Sequence, residues 1–359
     1  SIYGKWIDTY KHLAYNMFGF GDYRRNANCS LNATIENMVQ FAMNDFYSGW
    51  NEELKAFDYT TDVKHTVKLV SSLHPLSMAV ITDNEEIYQR RAKPMIEFLM
   101  SREKYLFSSV EGVTHQSPSH AMKGPAAEVS ELGALFAFSR QRTPVFSHYA
   151  EKLLEKPRAL NLQLLSEGDS WQNLLAVYRV TRRQPFLDKA LIKAREYVRN
   201  RIETPQPDFK DARLNDVLGG QFWTDFAPKW IDLLELYETT GDTLFLNASL
   251  KGALEYTGYV WLHPKIPAGE ILIHESGQLP MGDRHNKKDP QPIRVVPQMV
   301  PAWRVSPIGL TPESSYTYAP NQGVFLTHYA AWMLRLAHYT GDNFLRDIAR
   351  SAVVGRYAN

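Results

Sequence analysis

A Thr-Gly-Asp turn leading through Phe-Leu into a helix is written twice, in YETTGDTLFLNASLKGALEY from Tyr237 and in HYTGDNFLRDIARSAVVGRY from His338. A phrase repeated at such a distance restricts the chain to folds assembled from copies of one supersecondary unit. Weaker copies precede it. They place Tyr88 four residues before Ala92, Phe146 four before Ala150, and Phe186 and Leu187 ahead of Ala190, as Leu345 stands before Ala349; Leu246 has Leu250 at that step, so the repeat is degenerate. Each copy follows apolar residues at helical spacing: Val67, Val70, Leu73 and Leu76; Leu132, Leu135 and Phe136; Leu174, Leu175 and Val177; Ile231, Leu234 and Leu236; Val324, Tyr329, Met333 and Leu336. Five helical hairpins are therefore expected, and the segment from Lys5 to Phe57 supplies one more helix pair.

The turn chemistry agrees with this reading. Gly241 and Gly341 can take the positive φ that ends a helix, and Asp242 and Asp342 can cap the next one by accepting backbone N–H bonds. A small residue one turn past the aromatic or Leu lets the second helix lie close to its neighbour. Hairpins of this kind either close into a ring or stack into an open superhelix, and the unequal spacing of the copies favours the ring. The expectation is an all-α fold, one (α/α) toroid domain of about six helical hairpins over residues 1–359, with long irregular loops at one end. The chain stops at VVGRYAN, straight after a helical pattern, so a further C-terminal β domain is expected to follow or to have been removed.

Composition narrows the function. Forty basic residues against 39 acidic ones, well mixed, leave a formal charge of +1 and no field to concentrate DNA, RNA or an anionic membrane; nucleic acid is not an expected partner. No apolar run is long enough to span a bilayer. The single cysteine, Cys29, excludes an intrachain disulfide or a multi-cysteine metal centre. Phosphate-loop, dinucleotide and HExxH patterns are missing too, so no metal and no cofactor is expected.

Helical hairpins joined by Thr-Gly-Asp turns resemble the six-hairpin glycosidase superfamily and the toroid domains of polysaccharide lyases. The resemblance covers about residues 60–359 and concerns the fold. It implies a carbohydrate-active enzyme that cleaves glycosidic bonds in an oligo- or polysaccharide, placed in the periplasm or outside the cell. It leaves oligomeric state open.

Long segments between hairpins are the candidate site, since ordered loops on rigid scaffolds usually carry function. The largest runs from His263 to about Asn321, is rich in Pro and Gly, and contains the strand-like EILIHE. Hydrolysis needs two carboxyl groups flanking the scissile bond. Glu275, Glu313, Asp225 and Asp169 are the loop carboxylates, the last two beside Trp223 and Trp171, whose rings could stack on sugars and raise a neighbouring carboxyl pKa. Trp303 is a third platform candidate. The alternative for each carboxylate is a helix cap or a solvated loop charge.

β-Elimination at a uronate would instead need a Tyr or His base with a cation or amide to neutralise the acid. His274, Arg284, His285, Arg294, Tyr316 and Tyr318 of the same long segment could serve, or could pack as hydrogen-bonded plugs. His115 and His120 offer substrate donors from another loop. Hydrolysis is the favoured chemistry, elimination the second, and a non-catalytic glycan-binding or scaffold protein the third.

Overall fold

A computed structural model describes residues 5–20, 30–57, 66–68, 71–101, 106–108, 124–156, 159–161, 164–165, 168–204, 227–263, 269–282, 292–312 and 325–357. The chain divides into two compact units: one comprises Ser1–Thr34 with Tyr197–Asn359, the other Ile35–Glu196.

Helix α1 (Trp6–His12) opens the first unit, α2 (Leu31–Met43) begins at the boundary, and the short α3 (Asp45–Ser48) follows in the second. The expected N-terminal helix pair is therefore present, but its members fall in different units. Three hairpins make up the body of the second unit: α4 (Leu73–Thr82) with α5 (Glu85–Ile87) and α6 (Lys93–Met100); α7 (Val129–Phe138) with α8 (Pro144–Glu155); and α9 (Trp171–Thr181) with α10 (Gln184–Tyr197). Two more build the first unit: α11 (Trp230–Thr240) with α12 (Thr243–Tyr256), and α13 (Ala330–Thr340) with α14 (Asn343–Tyr357). First helices pack on first helices, α7 on α9 and α11 on α13.

The repeated turn does what its residues predict. Gly241 and Gly341 adopt φ of 73° and 70°, and Asp242 and Asp342 accept from the Leu244 and Leu345 amides, each at 3.0 Å. In other hairpins Asp83 and Arg182 take the left-handed turn position. Ala92, Ala150, Ala190 and Ala349 are all completely buried, so the small residue marks where a second helix meets the rest of its unit.

In the first unit the core gathers Trp230, Leu234, Tyr256, Tyr329, Met333, Phe344 and Ile348, with Ile7, Ala14 and Phe20 of the N-terminus packed into it. Lys11 pairs with the capping Asp342 at 2.8 Å and the Tyr15 hydroxyl donates to Asp347 at 2.8 Å, which ties the N-terminus to the last hairpin. In the second unit Arg91 is buried on a π-turn, Tyr88–Ala92. Its guanidinium stacks over Trp50 at 4.4 Å and donates to Ala42 O and to Asp45, fastening α2 and α3 to the first hairpin.

Two expectations need correction. Val67 does not begin the first helix, and Val70 lies outside the described residues. Thr66–Lys68 is a strand paired antiparallel with Leu106–Ser108, as suits a β-branched stretch, and α4 starts only at Leu73. Nor is the segment from His263 wholly irregular. Glu270–Ile273 pairs with Gln298–Pro301 and Gln278–Gly282 with Pro292–Arg294, giving one long β-hairpin interrupted at residues 274–277 and 295–297. Ile271, Leu272 and Ile273 on one arm and Ile293, Val295 and Val300 on the other supply the β-prone residues.

Candidate functional site

In every hairpin the short turn follows the first helix, so each long segment feeds the N-terminal end of a first helix. Ser72, Glu128, Ser170, Lys229 and Tyr329 stand at those N-termini. The chemistry of the described residues concentrates there.

In the second unit Glu131, on the first turn of α7, is buried, and its Oε1 accepts three hydrogen bonds: from the Ser71 hydroxyl at 3.1 Å, the Ser72 amide at 2.7 Å and the Ser72 hydroxyl at 2.8 Å. These donors lie about sixty residues earlier in the chain and arrive by way of the α4 N-terminus. One turn before Glu131, Glu128 stands at the N-cap position of α7 without a side-chain capping bond. It keeps access to solvent, yet the protein atoms crowding its carboxyl push its pKa above the ordinary carboxylate range, and the neighbouring Glu131 charge adds to that. The two carboxyls thus stand in contrasting environments, one anchored by donors and one biased toward holding its proton. Sequence reasoning missed both. Both sit in an apparent helix-entry signal, and the serines that distinguish them are remote in sequence.

Asp169 lies in the turn before α9. Lys193 holds it at 2.8 Å and lowers its pKa by hydrogen bonding, the opposite of what a proton donor requires. Trp171, the first residue of α9, is only 5% exposed, so it is a core residue here and offers no open stacking face. The helix that begins at Trp171 turns its indole inward.

In the first unit the last first-helix begins beside a well-anchored strand. The Trp261 amide donates to Leu310 O at 3.0 Å and the Gly309 amide to Trp261 O at 2.7 Å, while the Tyr329 hydroxyl donates to Gly309 O. Thr311–Pro312 then pairs with Phe325–Leu326, so the stretch that opens with Glu313 starts from a fixed support. His263 packs against Phe18 and Trp261, with ring centroids 5.3 and 5.9 Å apart. The tyrosines here are poor bases. Burial pushes Tyr259 up to about 12 and Tyr256 and Tyr329 higher still.

His274 and Glu275 occupy the interruption of the long β-hairpin. His274 takes a φ of 56° and its carbonyl accepts from the Gly277 amide at 2.8 Å; Glu275 is exposed. Arg294 is exposed at the end of the opposite arm. Arg284 and His285 fall between the two arms, in residues outside those described, as do Asp225, Glu313, Tyr316, Tyr318, Trp223, His115 and His120. Trp303 lies in the 3₁₀ turn Ala302–Val305, of which the backbone is described. Among the described residues no three His, Cys, Asp or Glu side chains are grouped to hold a metal ion, and no helix is long and apolar enough to cross a membrane.

The hairpins, their shared turn and the long segments entering each first helix define an all-α fold of the (α/α) toroid class. Among solved structures, that of a D-mannose isomerase matches with a TM-score of 0.51 over 90% of this chain and 85% of its own, at 15% sequence identity. At this identity the likeness is one of fold. No protein-family model and no curated protein matches the chain.

Proposed function

We propose that this chain is a carbohydrate-active enzyme that hydrolyses a glycosidic bond at the loop-bearing ends of its first helices, with the Glu128 carboxyl as proton donor. The observation that carries this reading is the Glu128 carboxyl, biased toward its protonated form beside the anchored Glu131 at such an end. A general acid needs a pKa above that of a free carboxyl, and crowding by protein atoms beside a second carboxylate shifts Glu128 in that direction. The saccharide chemistry of the toroid fold supports the substrate class.

The test is release of reducing ends from a panel of glycosides and polysaccharides by the wild type and by Glu128→Gln, Glu313→Gln and Asp225→Asn. Loss of the acid should lower kcat by about 10²–10⁴ on substrates with poor leaving groups, and less on activated aryl glycosides. A wild type that releases no reducing ends, or a Glu128→Gln enzyme at full rate, overturns the assignment.

Isomerisation of a free aldose is the second reading, favoured by the D-mannose isomerase among the fold neighbours. It also needs a positioned acid and base, and it is separated by ketose formation from mannose without any reducing-end release. β-Elimination would appear instead as ultraviolet absorbance from polyuronates; the buried tyrosines of the first unit give it no base.

A further inference from the structure

The second unit also contains a groove of about 520 Å³ between α8 and α10, reaching the turn before α9. Leu154, Leu174 and Phe186 form its apolar lining, while Glu151 and Glu155, one helical turn apart on α8, stand with Lys189 of α10 and Asp169 around it. The volume falls within the roughly 300–1,000 Å³ of small-molecule sites.

The charged groups are arranged rather than loose. Arg183 pairs with Glu151 while its guanidinium lies over the Phe186 ring at 4.6 Å. Lys193 donates both to the Asp169 carboxylate and to its backbone carbonyl, each at 2.8 Å. The Gly168–Asp169 turn is itself held, for the Asn173 side-chain amide donates to Gly168 O at 2.9 Å. Glu155 and Lys189 make no ion pair among the described residues, so one acceptor and one donor remain for a ligand. The lining carries three carboxylates, Glu151, Glu155 and Asp169, against one cation, Lys189, while Arg183 and Lys193 pair with Glu151 and Asp169 from outside it, so the groove does not draw an anion.

A lining of three carboxylate acceptors and one ammonium donor beside the Phe186 ring matches an uncharged sugar ring and disfavours an anionic one. Hydroxyls can donate to carboxylates and accept from ammonium groups, and the C–H face can rest on the half-buried Phe186 ring. Side chains already held by ion pairs lose little further freedom on binding. We infer that the groove between α8 and α10 is an accessory site for a neutral saccharide segment, apart from the Glu128–Glu131 pair. Its choice of ligand rests on the carbohydrate reading above.

Affinity electrophoresis and calorimetric titration with galactomannan, a β-glucan and dextran test it, with polygalacturonate as the anionic comparison. The wild type should be retarded by at least one neutral glycan, and Lys189→Ala and Glu155→Gln should each weaken that binding about 3–10-fold, the loss of one hydrogen bond. Both positions are exposed, so thermal melts should match the wild type. No retardation of the wild type by any neutral glycan, or retardation that neither variant reduces, overturns the site. Binding of polygalacturonate alone, abolished by Lys189→Ala, overturns the ligand class. If wild-type protein turns over no glycan yet shows neutral-glycan binding that Lys189→Ala weakens, the catalytic reading falls and the groove stands; turnover without such binding gives the opposite result.

Discussion

Glu131 shows how one side chain can set the character of a helix end. With the Ser71 hydroxyl, the Ser72 hydroxyl and the Ser72 amide all directed at one oxygen, replacement by Ala leaves three donors to find other partners in a buried place. Glu131→Ala should therefore cost about 1–3 kcal/mol in denaturant unfolding, and Glu131→Gln, which keeps an acceptor oxygen, clearly less. Equal losses would mean that packing, not acceptance, is what matters. Glu128 carries a pH signature. Because folding raises its pKa above 4.5, the native state binds more protons than the unfolded chain just above that pH. Its contribution is full at lower pH and is lost as pH rises through the folded value. The stability of wild type relative to Glu128→Gln should decline upward from about pH 4.5 and then level off, as followed by urea midpoints across the range. A difference that grew with pH would contradict the desolvated environment.

At the level of elements, the glycines separate two kinds of constraint. Gly341 ends α13 at φ of 70° with nothing near where a Cβ would stand, so Gly341→Ala should cost only the backbone strain, about 1 kcal/mol. Gly309, at φ of 81°, would place a Cβ 2.5 Å from the Ala352 amide nitrogen on α14. Gly309→Ala should cost about 2–4 kcal/mol, since backbone must move as well, and it should loosen the strand that leads to Glu313. Chemical denaturation of the two variants compares them directly. The turns ending α11 and α13 were legible in sequence because Gly and Asp act locally, through φ and a cap. The pairing of Thr66–Lys68 with Leu106–Ser108 was not, since apolar residues in a short run suit a helix start and a strand equally and only the partner decides between them.

For the molecule as a whole, charge and fold point the same way. With 40 basic and 39 acidic residues interspersed, few phosphates could be neutralised at once, so the protein should leave a heparin or DNA column below about 0.2 M salt. Retention beyond that would reveal a basic face that the overall count conceals. The long segment after His263 was legible as important but not as a β-hairpin, because its arms pair across a gap of ten or more residues. Of the carboxylates chosen from sequence, Asp169 is neutralised by Lys193 of α10, the second helix after it, and Glu275 is exposed. A loop position beside a tryptophan says nothing about which cation folding will bring to it.

By itself the sequence determined the helical hairpins, their turns and the small buried residues that let them pack, because each follows from periodicity and backbone preference within a few positions. Tertiary structure alone decided which carboxyl would be anchored, which would be shifted toward its protonated form and where a groove lined by carboxylates would open. Those properties depend on desolvation and on partners tens of residues away, as Ser72 is from Glu131.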